Sequence, residues 1–348
     1  MDFSRDQTQD AVAEVAAGLL ERGAGKPTGE IWTSFVAADL TTLALPGRLG
    51  GAELGLPAIA TLLTEIGRAA AQLPALATFG LGVLPLLELA DGTEHDALLE
   101  RVGKGAVLTA ALSEPGSPFT LRPATTAVAE GDLLIVDGLK VGVPYADRAE
   151  AILVPTDAGV VLVDPSADGV TLTPTPTSTG EPEFAVRFDE VRVPNTALLH
   201  GDLVALHRIA LACVGALCDG LLSGATQLTA SHVGTRHQFG KPLATFQAVA
   251  QEIADVYVIS RTLHVAALSA VWRLGEGLDA ASDLDVVAYW IAAEVPKAMQ
   301  VCHHLHGGIG VDVSYPMHRY SSQVKDLARM VGGTSHRLDL LGARCTSI

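Results

Sequence analysis

The stretch Arg236-His237-Gln238-Phe239-Gly240-Lys241-Pro242-Leu243-Ala244-Thr245-Phe246-Gln247 gathers cationic, amide and aromatic side chains within twelve positions. An Arg guanidinium beside the start of a helix makes a site for an anion such as a pyrophosphate, because unpaired amides and a fixed positive charge converge there. A turn between two helices with a surface Arg would show the same spacing. Three histidines, His303, His304 and His306, form a second cluster. They have no carboxylate pair or cysteine at ligand spacing, so no metal site is expected from them. Asp326 and Glu294 could act as proton acceptors. Each also lies near a lysine (Lys325 and Lys297), and a solvated helix face or an ion pair with that lysine is the expectation for each.

These residues need elements to hold them. Ahead of Arg236, apolar residues from Ala210 through Val214, Leu217, Leu221 and Ala225 to Leu228 recur at helical spacing, and Val249, Ile253 and Val256 restart the period after it. Gly240 and Pro242 punctuate the join, so the cluster sits on the turn of a helical hairpin. Further on, Leu284 to Leu305 reads as a helix interrupted at Pro296, Gly307-Gly308-Ile309-Gly310 as a turn, and a last helix passes through Asp326 to Met330.

The rest of the chain divides by texture. Residues 1–105 read as helices: an amphipathic run opened by Asp2 to Gln9 and continuing through Leu20, an element from Ile31 to Leu45, a third around Leu62 to Gly67, and the apolar stretch Leu76 to Leu89. Residues 106–199 carry short β-prone runs at 107–112, 133–136, 151–154, 160–163, 170–172 and 184–188, punctuated by Gly, Pro and Asp as in a small barrel or sandwich. Residues 200–348 are helical again. An α+β fold follows, with an N-terminal helical domain, a middle β-barrel domain and a C-terminal helical bundle.

Composition narrows the function classes. The 348 residues carry 23 Lys plus Arg against 39 Asp plus Glu, a formal charge of −16. Nucleic acid and anionic membranes are poor partners for such a chain. Four cysteines, at 213, 218, 302 and 345, show no paired ligand spacing; Cys213 and Cys218 read as buried thiols within one helix. No charged segment followed by an apolar run opens the sequence, and Gly, Pro and charges break the apolar runs, so a soluble cytoplasmic protein is expected.

The pattern Arg236-x-x-Phe239-Gly240-x-Pro242-x-x-x-Phe246-Gln247 resembles the corner of acyl-CoA dehydrogenases that grips the ADP half of FAD belonging to a neighbouring subunit. The resemblance extends over essentially the whole chain. Leu45-Pro46-Gly47-Arg48-Leu49-Gly50-Gly51 is similar to a turn of the family's N-terminal domain, and Phe188-Asp189-Glu190-Val191-Arg192-Val193-Pro194 to the exit from its β domain. His304-Leu305-His306-Gly307-Gly308-Ile309-Gly310 resembles a Gln-x-x-Gly-Gly-x-Gly turn, with His304 in place of Gln. The resemblance implies FAD as cofactor and Arg236, Phe246, Gln247, His304 and Gly308 as its binding residues.

The same resemblance exposes departures. Family members abstract an α-proton from a CoA thioester with a Glu, commonly in Tyr-Glu-Gly-Thr-Ser near the C-terminus. Here that stretch reads Met330-Val331-Gly332-Gly333-Thr334-Ser335, so the Glu position falls on Gly332, or on Val331 when counted without a gap from Gly308. The other position used by the family, at the start of the helix leading to Arg236, holds Ala210. No catalytic residue is therefore assigned. The ring-binding segments are altered too: Glu114-Pro115-Gly116-Ser117 continues into Pro118-Phe119, and Lys140-Val141-Gly142-Val143-Pro144-Tyr145 has Gly142 where an aromatic residue stacks.

Residues 77–89, 140–143, 303–308 and 315–320 are similar to the base-less subunit of actinobacterial heteromeric steroid side-chain acyl-CoA dehydrogenases of cholesterol catabolism. That implies a heterotetramer with two copies of each of two unlike subunits, the partner carrying the catalytic Glu. It also implies a steroid CoA thioester such as 3-oxo-4-pregnene-20-carboxyl-CoA as the acyl-CoA substrate. Two other readings stay open: a self-sufficient dehydrogenase with an unrecognised base, and a non-catalytic protein that binds CoA thioesters.

Overall fold

The computed structural model describes residues 3–90, 92–199 and 201–346, with side chains through Arg344. Asp2, counted in the opening amphipathic run, and the Cys345 side chain lie outside the described residues. Asp6 starts the first helix: its carboxylate accepts from the Gln9 amide at 2.7 Å, and the Gln9 side chain accepts from the Asp6 amide at 3.3 Å. This reciprocal cap fixes α1 (Gln7–Arg22), which buries Val12, Ala13, Ala16 and Leu20 along one stripe. The next helix, α2 (Thr28–Ala37), stops well before Leu45, the end expected from the apolar pattern. Asp39 takes a positive φ of 56° just beyond its end, and a left-handed residue cannot continue a helix. Then come α3 (Leu56–Arg68), a π-helical segment (Leu76–Val83), α4 (Leu84–Leu89) and α5 (Asp96–Gly103).

The strands are β1 (Val107–Ala110), β2 (Thr126–Glu130), β3 (Leu133–Pro144), β4 (Ala149–Thr156), β5 (Gly159–Val163), β6 (Val170–Pro174), β7 (Glu183–Pro194) and β8 (Leu198–Leu199). They form two four-stranded sheets, ordered β1-β4-β5-β8 and β2-β3-β7-β6. Only the β1–β4 pair among them is parallel. Ile152, Val154, Val161 and Val163 from one sheet meet Val136, Val186 and Phe188 from the other in a single core, as expected of two sheets that each bury one face. The sequence pattern did not mark β2, because Ala127 is the one buried residue in a strand that is otherwise largely exposed.

The chain then returns to helices: α6 (Leu203–Thr235), α7 (Gln247–Gly275), α8 (Ala281–His306), α9 (Met317–Met330) and α10 (Gly333–Thr346). Helix α8 passes unbroken through Pro296, contrary to the interruption expected there. A second apolar core is continuous from α1 and α3 through α6 to α9. Its tightest seam is α3 against α6. A Cβ on Gly67 would fall 2.2 Å from the Leu217 carbonyl oxygen, and one on Gly220 would fall 2.0 Å from that of Thr64. Only glycines let these two backbones touch.

Composition alone would let α6 and α7 cross a membrane, which the sequence reading did not anticipate. In α6, 89% of the apolar window is buried inside the protein, the signature of a core helix; in α7 the figure is 28%. Cys213, Cys218 and Cys302 are buried free thiols. Burial pushes the Cys213 thiol up to about 12, so it stays protonated and unreactive.

Candidate functional site

Arg236 ends α6: its amide donates to the His232 carbonyl at 2.9 Å, and its ψ of 121° turns the chain out of the helix. A two-residue hairpin follows, pairing His237–Gln238 with Lys241–Pro242. Its tip is Phe239-Gly240, both with positive φ (52° and 79°), the conformation of a tight primed turn. The Leu243 amide donates back to the Arg236 carbonyl at 2.9 Å. A short 3₁₀ turn then delivers Phe246 as the N-cap of α7 with no side-chain cap. The first-turn amides of α7 therefore have no acceptor within their own helix.

A groove of about 620 Å³ lies between this turn and the end of α8. Arg236, His304 and Gly308 all line it, together with His232, Gln238 and Glu252. Three of the five residues expected at a cofactor site are thus brought together. Phe246 and Gln247 do not form its wall: Phe246 faces Phe239, with ring centroids 6.2 Å apart, and carries the Lys241 ammonium 4.3 Å above its ring. Gln247 is exposed on the first turn of α7. His304 is exposed, its Nε2 4.0 Å from a Glu252 carboxylate oxygen. Beyond its own chain neighbours, no atom lies within 4 Å of where a Cβ on Gly308 would be, so a ligand can rest against this backbone. A guanidinium, free amides and an open glycine form a donor set that fits a pyrophosphate.

The three histidines of α8 face different neighbours. His306 is buried, its Nδ1 2.7 Å from the Cys302 carbonyl, and its ring stacks on His232 with centroids 4.6 Å apart. His303 turns toward Gly310. The sequence reading missed His232 and His306 as groove residues. The signal for His232 was available, since it sits one helical turn before Arg236 on the same face.

At the far side of the molecule, the positions where a base was sought are closed. Ala210 and Val331 are fully buried in the apolar core. Gly332 has φ +94°, and a Cβ there would fall 2.5 Å from Pro118 Cγ and 2.6 Å from His336 Cδ2. Nearby, the Phe119 ring is 5.4 Å from His207 and 5.7 Å from the Arg337 guanidinium. Burial pushes His207 down to about 4, with Lys140 and Arg337 adding repulsion, so it is neutral at pH 7. Burial also lowers Arg337 to about 10, which leaves it charged. None of His207, His336 and Arg337 was singled out from the sequence.

Glu114, from the altered ring segment, points inward. It accepts from Lys140 Nζ at 2.8 Å, the Ala124 and Thr125 amides at 2.7 and 2.9 Å, and the Thr125 hydroxyl at 2.7 Å. Burial pushes its carboxyl upward, yet these bonds outweigh it and hold Glu114 near 2. It braces the β domain. The space bordered by Pro144, Tyr145, Leu327 and Met330 amounts to about 80 Å³, against roughly 300–1,000 Å³ for pockets that hold organic ligands. Glu181 lines that space, accepts from the Tyr145 hydroxyl, and is pushed up to about 7 by burial. Asp326 lies there too, but it pairs with the 178–179 loop rather than with Lys325. It accepts from the Ser178 and Thr179 amides at 2.9 and 3.0 Å. Glu294 pairs with Lys297 at 2.8 Å, as its position indicated.

The chain is 52% identical to acyl-CoA dehydrogenase FadE28 of Mycobacterium tuberculosis, over 99% of both proteins. It belongs to the acyl-CoA dehydrogenase family. The family model for the acyl-CoA dehydrogenase C-terminal domain matches residues 204–344, and FadE27 of the same organism is 30% identical over 90% of this chain and 87% of its own length. Among solved structures, a variant of the Tcur3481-Tcur3483 steroid acyl-CoA dehydrogenase is 31% identical with a TM-score of 0.89, covering 97% of this chain and 98% of that one. The ChsE4-ChsE5 complex from Mycobacterium tuberculosis is 26% identical with a TM-score of 0.91, each chain covered in full. Acyl-CoA dehydrogenases are FAD-dependent oxidoreductases, and the helical, β, helical order seen here is theirs.

Proposed function

We propose that this chain is one subunit of a heteromeric, FAD-dependent acyl-CoA dehydrogenase and lends its Arg236 corner to a flavin whose ring sits in an unlike subunit. The observation that carries this reading is a contrast within one chain. The groove of Arg236, His304 and Gly308 is open, while a side chain at Gly332 would collide with Pro118 and His336. Arg236 would pair with the pyrophosphate, the first-turn amides of α7 would complete its hydrogen bonds, and Gly308 would let the backbone close on the dinucleotide. FAD, when bound, supplies the acceptor for the hydride that leaves the β-carbon of the thioester. Proton abstraction from the α-carbon falls to a Glu on the partner, because Gly332, Val331 and Ala210 carry no titratable group.

The steroid acyl-CoA dehydrogenase and the two-component complex among its structural relatives support a steroid side-chain CoA thioester as the substrate class and an unlike subunit as the partner. Tyr257, Val258 and Val265 are exposed along α7, which begins at the Arg236 corner. Such a subunit would cover them, since apolar area removed from water stabilises association by about 25 cal/mol per Å².

A self-sufficient dehydrogenase has one observation in its favour: Glu181, near neutral in its ionisation, stands beside the small cavity at Pro144 and Met330. The size of that cavity weighs against it. The test is expression alone and with an unlike acyl-CoA dehydrogenase chain. The lone chain should carry no stoichiometric flavin and dehydrogenate no acyl-CoA, and the pair should do both. A yellow, active lone chain overturns the proposal.

A further inference from the structure

The floor of the Arg236 groove holds something the proposed cofactor role does not require. His306 is 5% exposed, and its Nδ1 lies 2.7 Å from the Cys302 carbonyl, an acceptor. Nδ1 must therefore carry the proton, and in neutral His306 the other nitrogen, Nε2, is a bare lone pair. That Nε2 is buried with no hydrogen-bond partner. A buried polar atom left unpaired is destabilising, so the site keeps an unmet need. Its ring stacks on His232 at 4.6 Å, Tyr315 packs beside both rings at 5.2 Å from His306 and 6.5 Å from His232, and both imidazoles line the groove with Arg236.

We infer that the stacked His232–His306 pair takes up a proton when an anionic dinucleotide enters the groove, which turns the His306 Nε2 from a bare acceptor into a donor beside the pyrophosphate. This rests on the reading of the groove as the ADP corner and adds a chemical step to it. The proton comes from solvent and stays on the imidazole; no covalent bond forms. The groups facing the pair set the direction. Arg236 on α6 is the standing cation and repels a proton from His232; His303 on α8, itself lowered by burial and by Lys325 and His318 on α9, opposes a proton on His306 only when it carries one too. Glu252 on α7 is the carboxylate at the groove, and it lies against His304 rather than the pair. Burial and these neighbours hold both His232 and His306 below the ordinary imidazole range, so both are neutral at pH 7. Two phosphate charges placed against Arg236 reverse that repulsion and pull a proton in.

The experiment uses the full-length chain and ADP-ribose, whose pyrophosphate is a diester with no proton to lose near neutral pH. Calorimetric titrations at pH 6, 7 and 8, each in two buffers of different ionisation enthalpy, report affinity and protons exchanged together. The expected result is proton uptake on binding, with affinity tightening as pH falls, by up to roughly tenfold per pH unit for each proton taken up. His306→Leu should flatten the pH dependence and remove the uptake while leaving ADP-ribose bound through Arg236. His232→Gln, which keeps a planar polar side chain, should reduce the uptake if the His306 variant proves poorly folded. Binding with no uptake and a flat pH profile in the parent overturns this inference and leaves the ADP-corner reading standing. No binding of ADP-ribose, or binding that Arg236→Ala leaves unchanged, overturns both.

Discussion

Gly332 and Pro118 stand so close that a Cβ on the glycine would fall 2.5 Å from the proline ring. The position where the family's Glu is sought thus lacks both the residue and the room for it. Gly332→Glu should accordingly fail to create activity in the lone chain. It should also destabilise, by about 1–3 kcal/mol for a non-glycine residue at positive φ and a comparable amount for overpacking. Thermal melting and an acyl-CoA dehydrogenation assay check both halves. A stable, active variant would show that the neighbouring segment opens readily.

Arg236→Ala should weaken FAD retention in the assembled complex by roughly tenfold or more, the loss of a charge-assisted contact of about 1.5–3 kcal/mol. Arg236 is exposed, so melting of the variant should match the parent. Flavin release during dilution and refolding of the spectrum onto free FAD measures it.

Much of this was legible beforehand, for physical reasons that differ by region. The Arg236 corner could be read because a turn needs glycine, proline and caps at fixed offsets, and those residues are local. Helical periods from Ala210 onward and from Val249 onward were visible for the same reason. The closed side could not be read as closed. Pro118, Phe119, His207, His336 and Arg337 come from three separate stretches, and only folding brings them together. The burial of Glu114 was equally hidden, since the sequence shows an altered motif but not that its carboxylate faces Lys140 across the β domain.

That Glu114–Lys140 pair sets an acid limit. Glu114 is held near 2 in the folded chain, below its ordinary value near 4.5. Between those values the unfolded chain binds the extra proton, so stability is present above about pH 4.5 and is lost as pH falls toward 2. Lys140→Met leaves the carboxylate buried without its cation, which costs about 3–5 kcal/mol and moves the acid transition to higher pH. Denaturant unfolding from pH 3 to pH 7 follows both effects.

Glu181 acts in the opposite sense. Burial raises it to about 7 in the folded chain, so between its ordinary value near 4.5 and 7 the folded state holds a proton that the unfolded state has released. Stability contributed by the neutral acid therefore falls as pH rises through that window. Glu181→Gln, which can still accept from the Tyr145 hydroxyl, should gain stability over the parent between pH 5 and pH 8. Melting curves at the two pH values give the difference directly; an equal offset at both would mean that Glu181 is ionised throughout.

Flavin counting tests the central claim most directly. Each family site is built from a ring pocket on one subunit and an ADP corner on its neighbour, and this chain is proposed to supply only the corner. In a purified complex with its unlike partner, absorbance of FAD against subunit mass should give one flavin for each pair of unlike chains. One flavin for every chain would mean that this subunit keeps a ring site of its own, and the account would fail.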